Sequence, residues 1–447
     1  VQSQRDQQEY VLKTVEERGI RFVQLWFTDV LGTPKTFHIT PAELEGALED
    51  GMTFDGSAID GFSRVQESDV LAKPDPATFQ VLPWHADGTA VARVVCDIFN
   101  IDGTPFEGCP RHVLRRALET ARQRGFTFFA APEIEFFYFA DSDPSHAPIQ
   151  LDTGSYFELR ANDTAHRLLE ESVLTLEEMG IPVEHAQHED APSQHEIDLR
   201  YTDALSMADT VMTTRLVVKE TARRMGVHAS FMPKPVAGIQ GSGMHTHMSL
   251  FKGGDNAFAD PSDAYGLSAV AKGFIAGLLR HAPETAAVTN QWVNSYKRLV
   301  SGYEAPVAVS WARNNRSALV RVPVVKSGRV ESTRVEYRAP DSACNPYLAF
   351  AVMLASGLSG IENGYELPPE ADANLYSMSA EDLARAGIRS LPGSLSEAVA
   401  EMERSELMAS VLGDHVFEWF IRNKREEWAA YKTHISQFEL DRYLPLL

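Results

Sequence analysis

The segment Pro132-Glu133-Ile134-Glu135-Phe136-Phe137 sets two carboxylates two positions apart inside an aromatic run. Successive side chains of an extended strand alternate between faces. Glu133 and Glu135 therefore share one face, roughly 6.5–7 Å apart, while Ile134 and Phe136 take the other. One reading is a solvent-facing edge; Phe128, Phe129, Phe137 and Phe139 around the segment favour a buried strand instead. Buried carboxylates need cations or hydrogen-bond donors. Whatever this chain folds into must bring such groups to one strand face of its interior.

Three further segments repeat the pattern. In Gly241–Leu250, His245, His247 and Ser249 share a strand face after a Gly-Ser-Gly turn, with Met244, Met248 and Leu250 opposite. Arg334-Val335-Glu336-Tyr337-Arg338 alternates charge with apolar residues, which also fits a salt-bridged outer strand. Between His188 and Asp198, Glu189 and Glu196 flank a turn containing Pro192, able to fold both carboxylates towards one point. Glutamates with histidine as the minority ligand suit Mg²⁺ or Mn²⁺ better than zinc. Lys297, Arg298, Arg313, Arg316 and Arg321 follow as a basic cluster suited to phosphate and carboxylate oxygens. Carboxylate-held divalent cations beside arginines describe a phosphoryl-transfer site. The glycines match neither a Walker loop nor a dinucleotide fingerprint.

With 447 residues, the chain exceeds what one hydrophobic core usually supports. Its first hundred residues read as β-rich, with a helix at Tyr10–Arg18 and strands at Ile20–Phe27, Thr78–Trp84 and Thr89–Ile98. From Pro110 onward amphipathic helices alternate with short strands. Helices are expected at Pro110–Arg124, Asn162–Met179, Asp203–Met225, Leu267–His281 (interrupted by Gly273 and Gly277), Ser394–Leu412 and His415–His434. The texture changes within Gly103–Pro110, so the domains are drawn as 1–105 and 106–447. A net charge of −21 excludes nucleic acid and anionic membrane as partners, since both require clustered Lys and Arg. Three cysteines at no metal-ligand spacing, a polar Val1–Gln8 and no membrane-length apolar run predict a cytoplasmic protein.

Taken together these segments resemble glutamine synthetase of the bacterial and archaeal type I. The matching signatures are Phe54–Ser57, Glu67–Asp69, Pro132–Glu135, Gly241–His247, Asn294–Val300, Tyr303–Pro306, Asn315–Ala318 and Asn345–Leu348, colinear from the first helix to the C-terminal helices. The resemblance implies an α+β fold: a small N-terminal β-grasp-like domain and a large catalytic domain with a curved antiparallel sheet flanked by helices. It further implies a dodecamer of two stacked six-membered rings, with each site between one subunit's catalytic domain and a neighbour's N-terminal domain.

The implied reaction joins ammonia to the γ-carboxylate of glutamate through γ-glutamyl phosphate, at the expense of ATP and with two or more Mg²⁺ or Mn²⁺ ions per subunit. By motif match, Glu135, Glu189 and Glu196 hold the metal nearer glutamate, and Glu133, His245 and Glu336 the metal gripping the phosphates. His247, Ser249 and Arg334 match nucleotide-contacting positions, and Arg316 and Arg321 phosphate-contacting ones. Gln240, Gly241, Arg298 and Arg338, with Glu135 and His245, match the glutamate site. Asp55 corresponds to the carboxylate that deprotonates ammonium, and Glu304 to the flap residue that closes the site and helps take a proton; Tyr156 and Glu189 complete the amine pocket.

Two departures bear on the amine. Ala58 replaces the usual Ser, and Gln240 the usual Asn before the Gly-Ser-Gly turn. Some actinobacterial paralogues with similar Gly-Ser-Ala-Ile and Asp-Ser-Ala-Cys-Asn-Pro signatures ligate polyamines (putrescine, spermidine, spermine) or ethanolamine. That is the alternative reading, and a catalytically silent paralogue the remote one. Retention of Asp55, Tyr156 and Glu304 favours ammonia. Arg64 aligns with a feedback-linked position and Tyr376 with a tyrosine adenylylated in some type I enzymes.

Overall fold

Valine-rich and aromatic segments of the first hundred residues pair into one sheet, and the charged-face segments pair into another. The computed structural model describes residues 2–62, 69–84, 88–159, 164–326, 328–371, 375 and 378–447. Arg64 and Tyr376 lie outside them, as do Asn162 and part of the 67–69 signature. Among the described residues no helix is long and apolar enough to cross a membrane.

The first sheet contains β1 (Phe22–Thr28), β2 (Pro34–Ile39), β3 (Met52–Asp55), β4 (Asp69–Pro74), β5 (Gln80–Leu82) and β6 (Val91–Asn100), in the order β2-β1-β6-β4-β3 with β5 also on β6. Only β1 and β6 run parallel. Val23, Leu25 and Phe27 of β1 and Val94, Cys96 and Ile98 of β6 bury against Leu44 and Leu48 of the helix Pro41–Glu49 and against Val11 and Val15. Helix-on-grasped-sheet packing of this kind is the β-grasp-like arrangement expected.

The second sheet is built on β7 (Thr127–Phe139), the long strand carrying Glu133 and Glu135. Its other strands are β8 (Val183–His188), β9 (Gln194–Leu199), β10 (Thr202–Asp203), β11 (His228–Ser230), β12 (Met244–Lys252), β13 (Asp255–Asn256), β14 (Trp311–Ala312), β15 (Val320–Arg321) and β16 (Val335–Tyr337). The order is β14-β15-β16-β12-β7-β9-β8, antiparallel except for β14 with β15. Far from being a solvent-facing edge, β7 is the centre of the sheet. Phe128, Ile134, Phe136 and Tyr138 go into the main core with the helices Thr164–Glu178, Ala204–Arg224 and Pro346–Glu362.

Two helix expectations are corrected. Gly273 and Gly277 do not interrupt their helix, which runs unbroken as Ala269–Thr289. They mark its crossing with Pro346–Glu362: a Cβ at Gly277 would collide with the Ser356 carbonyl, and one at Gly360 with that of Gly273. The glycines permit close backbone approach rather than a break. Ser394–Leu412 divides into Leu395–Glu403 and Glu406–Leu412, because Ser405 accepts the Met408 N–H and caps a new helix.

One ionic knot ties the two sheets together. Arg111, 3% exposed, donates to Asp97 of β6 (2.7 Å), to Asp75 beside β4 (2.9 Å) and to Asp209 of the helix Ala204–Arg224 (2.8 Å). Arg115 reinforces the Asp75 and Asp97 contacts, and the Tyr347 hydroxyl donates to Asp209 at 2.7 Å. Removing the central cation leaves buried Asp209 to the Tyr347 hydroxyl, and buried Asp97 and half-buried Asp75 to Arg115. Arg111→Met is therefore expected to cost about 3–5 kcal/mol, read as a lower urea midpoint or as separate unfolding of the two sheets.

Candidate active site

Strand register brings the charged segments onto one face of the second sheet. Across β12 and β7, His245 stands opposite Glu133; across β7 and β9, Glu133 stands opposite Asp198 and Glu135 opposite Glu196. His247 faces Glu336 across β12 and β16, and Arg321 of β15 faces the same glutamate. Ligand atoms of Glu133, Glu196 and His245 all lie within 4.8 Å of one another. Each comes from a different strand, so only the assembled sheet creates this constellation.

The hydrogen bonds orient each group. Arg334 Nε–H donates to His247 Nδ1 (3.3 Å), leaving His247 Nε2–H to donate to Glu133 at 2.7 Å. Glu135 accepts from the Gly243 amide (2.7 Å) and from Gln194 (3.1 Å). Gln187 donates to both Glu189 (3.2 Å) and Glu196 (2.5 Å), so the turn between those glutamates does fold them together. Fully buried Glu336 pairs with Arg338 at 2.6 Å and with Arg321. The segment 334–338 is thus an inner strand, not an outer one.

Electrostatics explains what this face needs. Burial, and then the charge of Glu189, pushes the Glu135 carboxyl up to about 8. Burial, followed by Asp198 and Glu135, raises Glu196 well above the ordinary range, and burial raises Glu189. Glu189 and Glu196 are hydrogen-bonded to each other, which two carboxyls manage only by sharing a proton. Burial would lift Glu133 and Glu336 too. Bonds from His245 and His247 hold Glu133 well below the usual range, and Arg338 with the two histidines keeps Glu336 down. Burial and Arg338 push His245 down to about 4, so its ring is neutral and available as a ligand. An oxygen-rich, one-histidine donor set with surplus protons fits hard divalent cations.

Around this face lie the other predicted residues. Arg298 threads past the Gly-Ser-Gly turn: its side chain would meet a Cβ at Gly241 or Gly243, and it donates to the carbonyls of Ala339 (2.8 Å) and Arg338 (3.2 Å). Gln240 donates to Asp190 at 2.5 Å. Tyr156, 39% exposed, is hydrogen-bonded by Arg316, and Glu304 lies close enough to Glu189 to raise its carboxyl further. A cleft of ≈ 730 Å³, lined by Phe129, Tyr201, Phe251, Ser249, His247 and Arg334, opens from Glu133 and is of nucleotide size. Asp55 ends β3 at the edge of the other sheet, where it accepts from Ser57 N–H at 2.8 Å.

Two members of the expected basic cluster are elsewhere. Arg313 pairs with Glu370 (3.0 Å) over the Tyr265 ring, and Lys297 is exposed over the Tyr431 ring. Local partners of opposite or aromatic character claim both cations, which sequence proximity could not reveal.

Other groups escaped the sequence reading. Asp198, pushed up to about 8 by burial and Glu133, pairs with His185 at 2.6 Å and lines the nucleotide-sized cleft. Its two-residue spacing from Glu196 was the available signal. Beneath Glu189, His188 faces the Glu189 carbonyl with Nδ1 (2.6 Å) and Asp152 with Nε2 (3.0 Å). Both partners are acceptors, so that ring donates twice and is cationic. Among described residues the only non-glycine positive φ values are those of Phe157 (58°), Ser193 (64°) and Glu304 (60°). Each adjoins the site: Phe157 follows Tyr156, Ser193 lies between Glu189 and Glu196, and Glu304 belongs to the expected flap. Backbone strain of this kind concentrates where function over-determines geometry.

A two-sheet α+β fold with an acid-and-imidazole face beside a nucleotide-sized cleft defines a metal-assisted phosphoryl-transfer class. Comparison with known families makes this specific. The profile described as "Glutamine synthetase, beta-Grasp domain" matches residues 19–101, and "Glutamine synthetase, catalytic domain" matches 107–443. The chain is 57% identical over 443 residues to a glutamine synthetase of Mycolicibacterium smegmatis, covering 98% of this chain and 99% of that one. It is 48% identical over 439 residues to one of Thermotoga maritima, at 98% and 99% coverage. A solved GmaS–ADP complex superposes with a TM-score of 0.87 at 33% identity, covering 97% of this chain and 99% of that one. The chain belongs to the glutamine synthetase family.

The elevated carboxyls carry a sign. Glu135, Glu189 and Glu196 hold protons more tightly folded than unfolded, so their contribution to stability is present at acid pH. It fades as pH rises towards 8 and beyond. A cation at this face offsets the burial and, after it, the repulsion that raise these carboxyls. At one fixed concentration Mg²⁺ should thus raise the unfolding temperature more at pH 8.5 than at pH 6, its stabilisation reaching about 2.7 kcal/mol where that concentration is a hundred times Kd. Calorimetry at pH 7 should register proton release on binding; equal Mg²⁺ effects at the two pH values would refute this account.

Proposed function

We propose that this chain forms glutamine from glutamate and ammonia at the expense of ATP, through γ-glutamyl phosphate, on the acidic face of its second sheet. Similarity to glutamine synthetases over nearly the whole chain supports the reaction. The observation that carries the residue roles is the convergence of Glu133, Glu196 and His245 from three strands, with Glu135, Glu189 and Glu336 around them.

Two divalent cations, Mg²⁺ or Mn²⁺, would supply charge neutralisation, one held by Glu135, Glu189 and Glu196 and the other by Glu133, His245 and Glu336. The adenine nucleotide occupies the cleft at Phe129 and Tyr201, with His247, Ser249 and Arg334 along its polar wall. Arg316 and Arg321 face its phosphates. Glutamate lies along the Gly-Ser-Gly turn, its α-carboxylate and amine oriented by Arg298, Arg338, Gln240 and the Gly241 backbone. Its γ-carboxylate oxygen attacks the terminal phosphorus, and ADP leaves. Ammonium gives a proton to Asp55, and the freed ammonia attacks the acyl carbon and expels phosphate. Glu304 takes a second proton and, with its flap, keeps water from competing. Tyr156 and Glu189 hold the incoming cation.

Asp55 belongs to the other sheet, so the assembly proposed is the family's double-ringed dodecamer, in which a neighbour's N-terminal domain (1–105) completes the catalytic domain (106–447). Exposed Phe438, Tyr443, Leu444, Leu446 and Leu447 near the C-terminus support burial against partner copies. Three buried free cysteines fit a reducing cytoplasm.

Glu304→Ala is expected to lower kcat by about 10²–10⁴-fold, and an unchanged rate of amide formation would remove Glu304 from its role. Phosphate release should require ammonium, with putrescine, spermine and ethanolamine inactive. Release with a polyamine and none with ammonium would replace the assignment of the amine.

A further inference from the structure

Lys234 has no part in the chemistry above, yet its ammonium is placed where two halves of the site meet. Its side chain is 9% exposed, a rare state for lysine. Nζ donates to the Ile239 carbonyl and stands 4.0 Å from the centroid of the Tyr303 ring. Tyr303 immediately precedes Glu304 in the flap, between Gly302 at φ 93° and Glu304 at φ 60°. The backbone of Lys234 is gripped from both sides by one side chain: its N–H donates to Asn294 Oδ1 (2.7 Å), and Asn294 Nδ2 donates to its carbonyl (3.0 Å). Asn294 immediately precedes the short helix Ser295–Arg298, which carries Arg298 and leads into the flap. On the other side, the carbonyl of Pro233 accepts Ser242 N–H at 2.8 Å, fixing the Gly-Ser-Gly turn.

The geometry points to Lys234 as the positioning residue that latches the flap to the glutamate turn, through a cation–π contact with Tyr303. Ile239 and Gln240 follow on the same short loop, and a cation–π contact gains strength where water is excluded. A strained Glu304 backbone needs such an external restraint to persist. Ordering of the turn by glutamate is thereby transmitted to Tyr303, and the flap shuts after glutamate has bound. This inference rests on the flap reading of Glu304. Without the latch, water reaches the acyl phosphate: its oxygen joins the γ-carbonyl carbon, phosphate leaves, and glutamate returns with ATP spent.

The test measures ADP formed per glutamine, together with cleavage after Glu304 by a glutamate-specific protease in the presence of glutamate and a non-hydrolysable ATP analogue. The full-length enzyme is used throughout. Lys234→Met and Tyr303→Leu should raise ADP per glutamine and accelerate cleavage, each by about threefold to thirtyfold, the span of cation–π strengths. Lys234→Arg and Tyr303→Phe keep a cation over a ring and should stay close to wild type in both readouts. Tight coupling and slow cleavage in both Lys234→Met and Tyr303→Leu would overturn the latch. Defects as large in Lys234→Arg and Tyr303→Phe would also overturn it, by reducing Lys234 to a packing role. Glu304→Ala separates the two levels: if it uncouples ATP use while Lys234→Met does not, the flap stands and only the latch falls. If Glu304→Ala leaves coupling intact, the flap reading itself fails.

Discussion

Burial of carboxylates that also repel one another is the constraint on which this structure turns. Glu135, Glu189, Glu196 and Asp198 crowd one sheet face and are driven to hold protons, while Glu133 and Glu336 stay ionised because histidines and arginines reach them. A sheet tolerates such a face only if cations join it. That same unmet need becomes catalytic capacity: a site already short of positive charge can draw two anionic reactants together once divalent cations and arginines offset them.

Keeping the groups at working distance falls to the scaffold behind them. The pleat of β7 sets Glu133 and Glu135 on a common face, and its antiparallel neighbours place His245 and Glu196 beside them. Three left-handed non-glycine residues, Phe157, Ser193 and Glu304, take on strain in the loops that adjoin the acidic face. The cationic His188 under Glu189 and the Arg111 knot between the sheets meet comparable demands with opposite charge rather than with backbone freedom. The regular parts of the fold fix Glu133, Glu135, Glu196 and His245, and the irregular parts fix Tyr156, Glu189 and Glu304.

Strand periodicity made most of the acidic face legible in advance. Glu133 and Glu135, His245 and His247, and Glu336 alternate with apolar residues closely enough to assign each to a face, and the strands lie within two or three residues of expectation. The fold class followed from the colinear signatures, because so long an ordered set admits few architectures. Less legible were features that depend on partners distant in the chain. Gly273 and Gly277 read as breaks until the helix Pro346–Glu362 was seen to cross them. Arg313 belongs by sequence to a basic cluster suited to phosphate and carboxylate oxygens, but Glu370 claims it.

By itself, then, the sequence determined which side chains share a face, how acidic that face would be and which family the chain joins, since these depend on spacing of a few residues and on ordered motifs. Only the tertiary structure decided that four separate stretches put Glu133, Glu196, His245 and Glu336 side by side, that Asp198 belongs with them, and that Lys234 lies over Tyr303. Hydrogen bonds between strands and the closing of loops set those distances, and neither leaves a local trace in the order of residues.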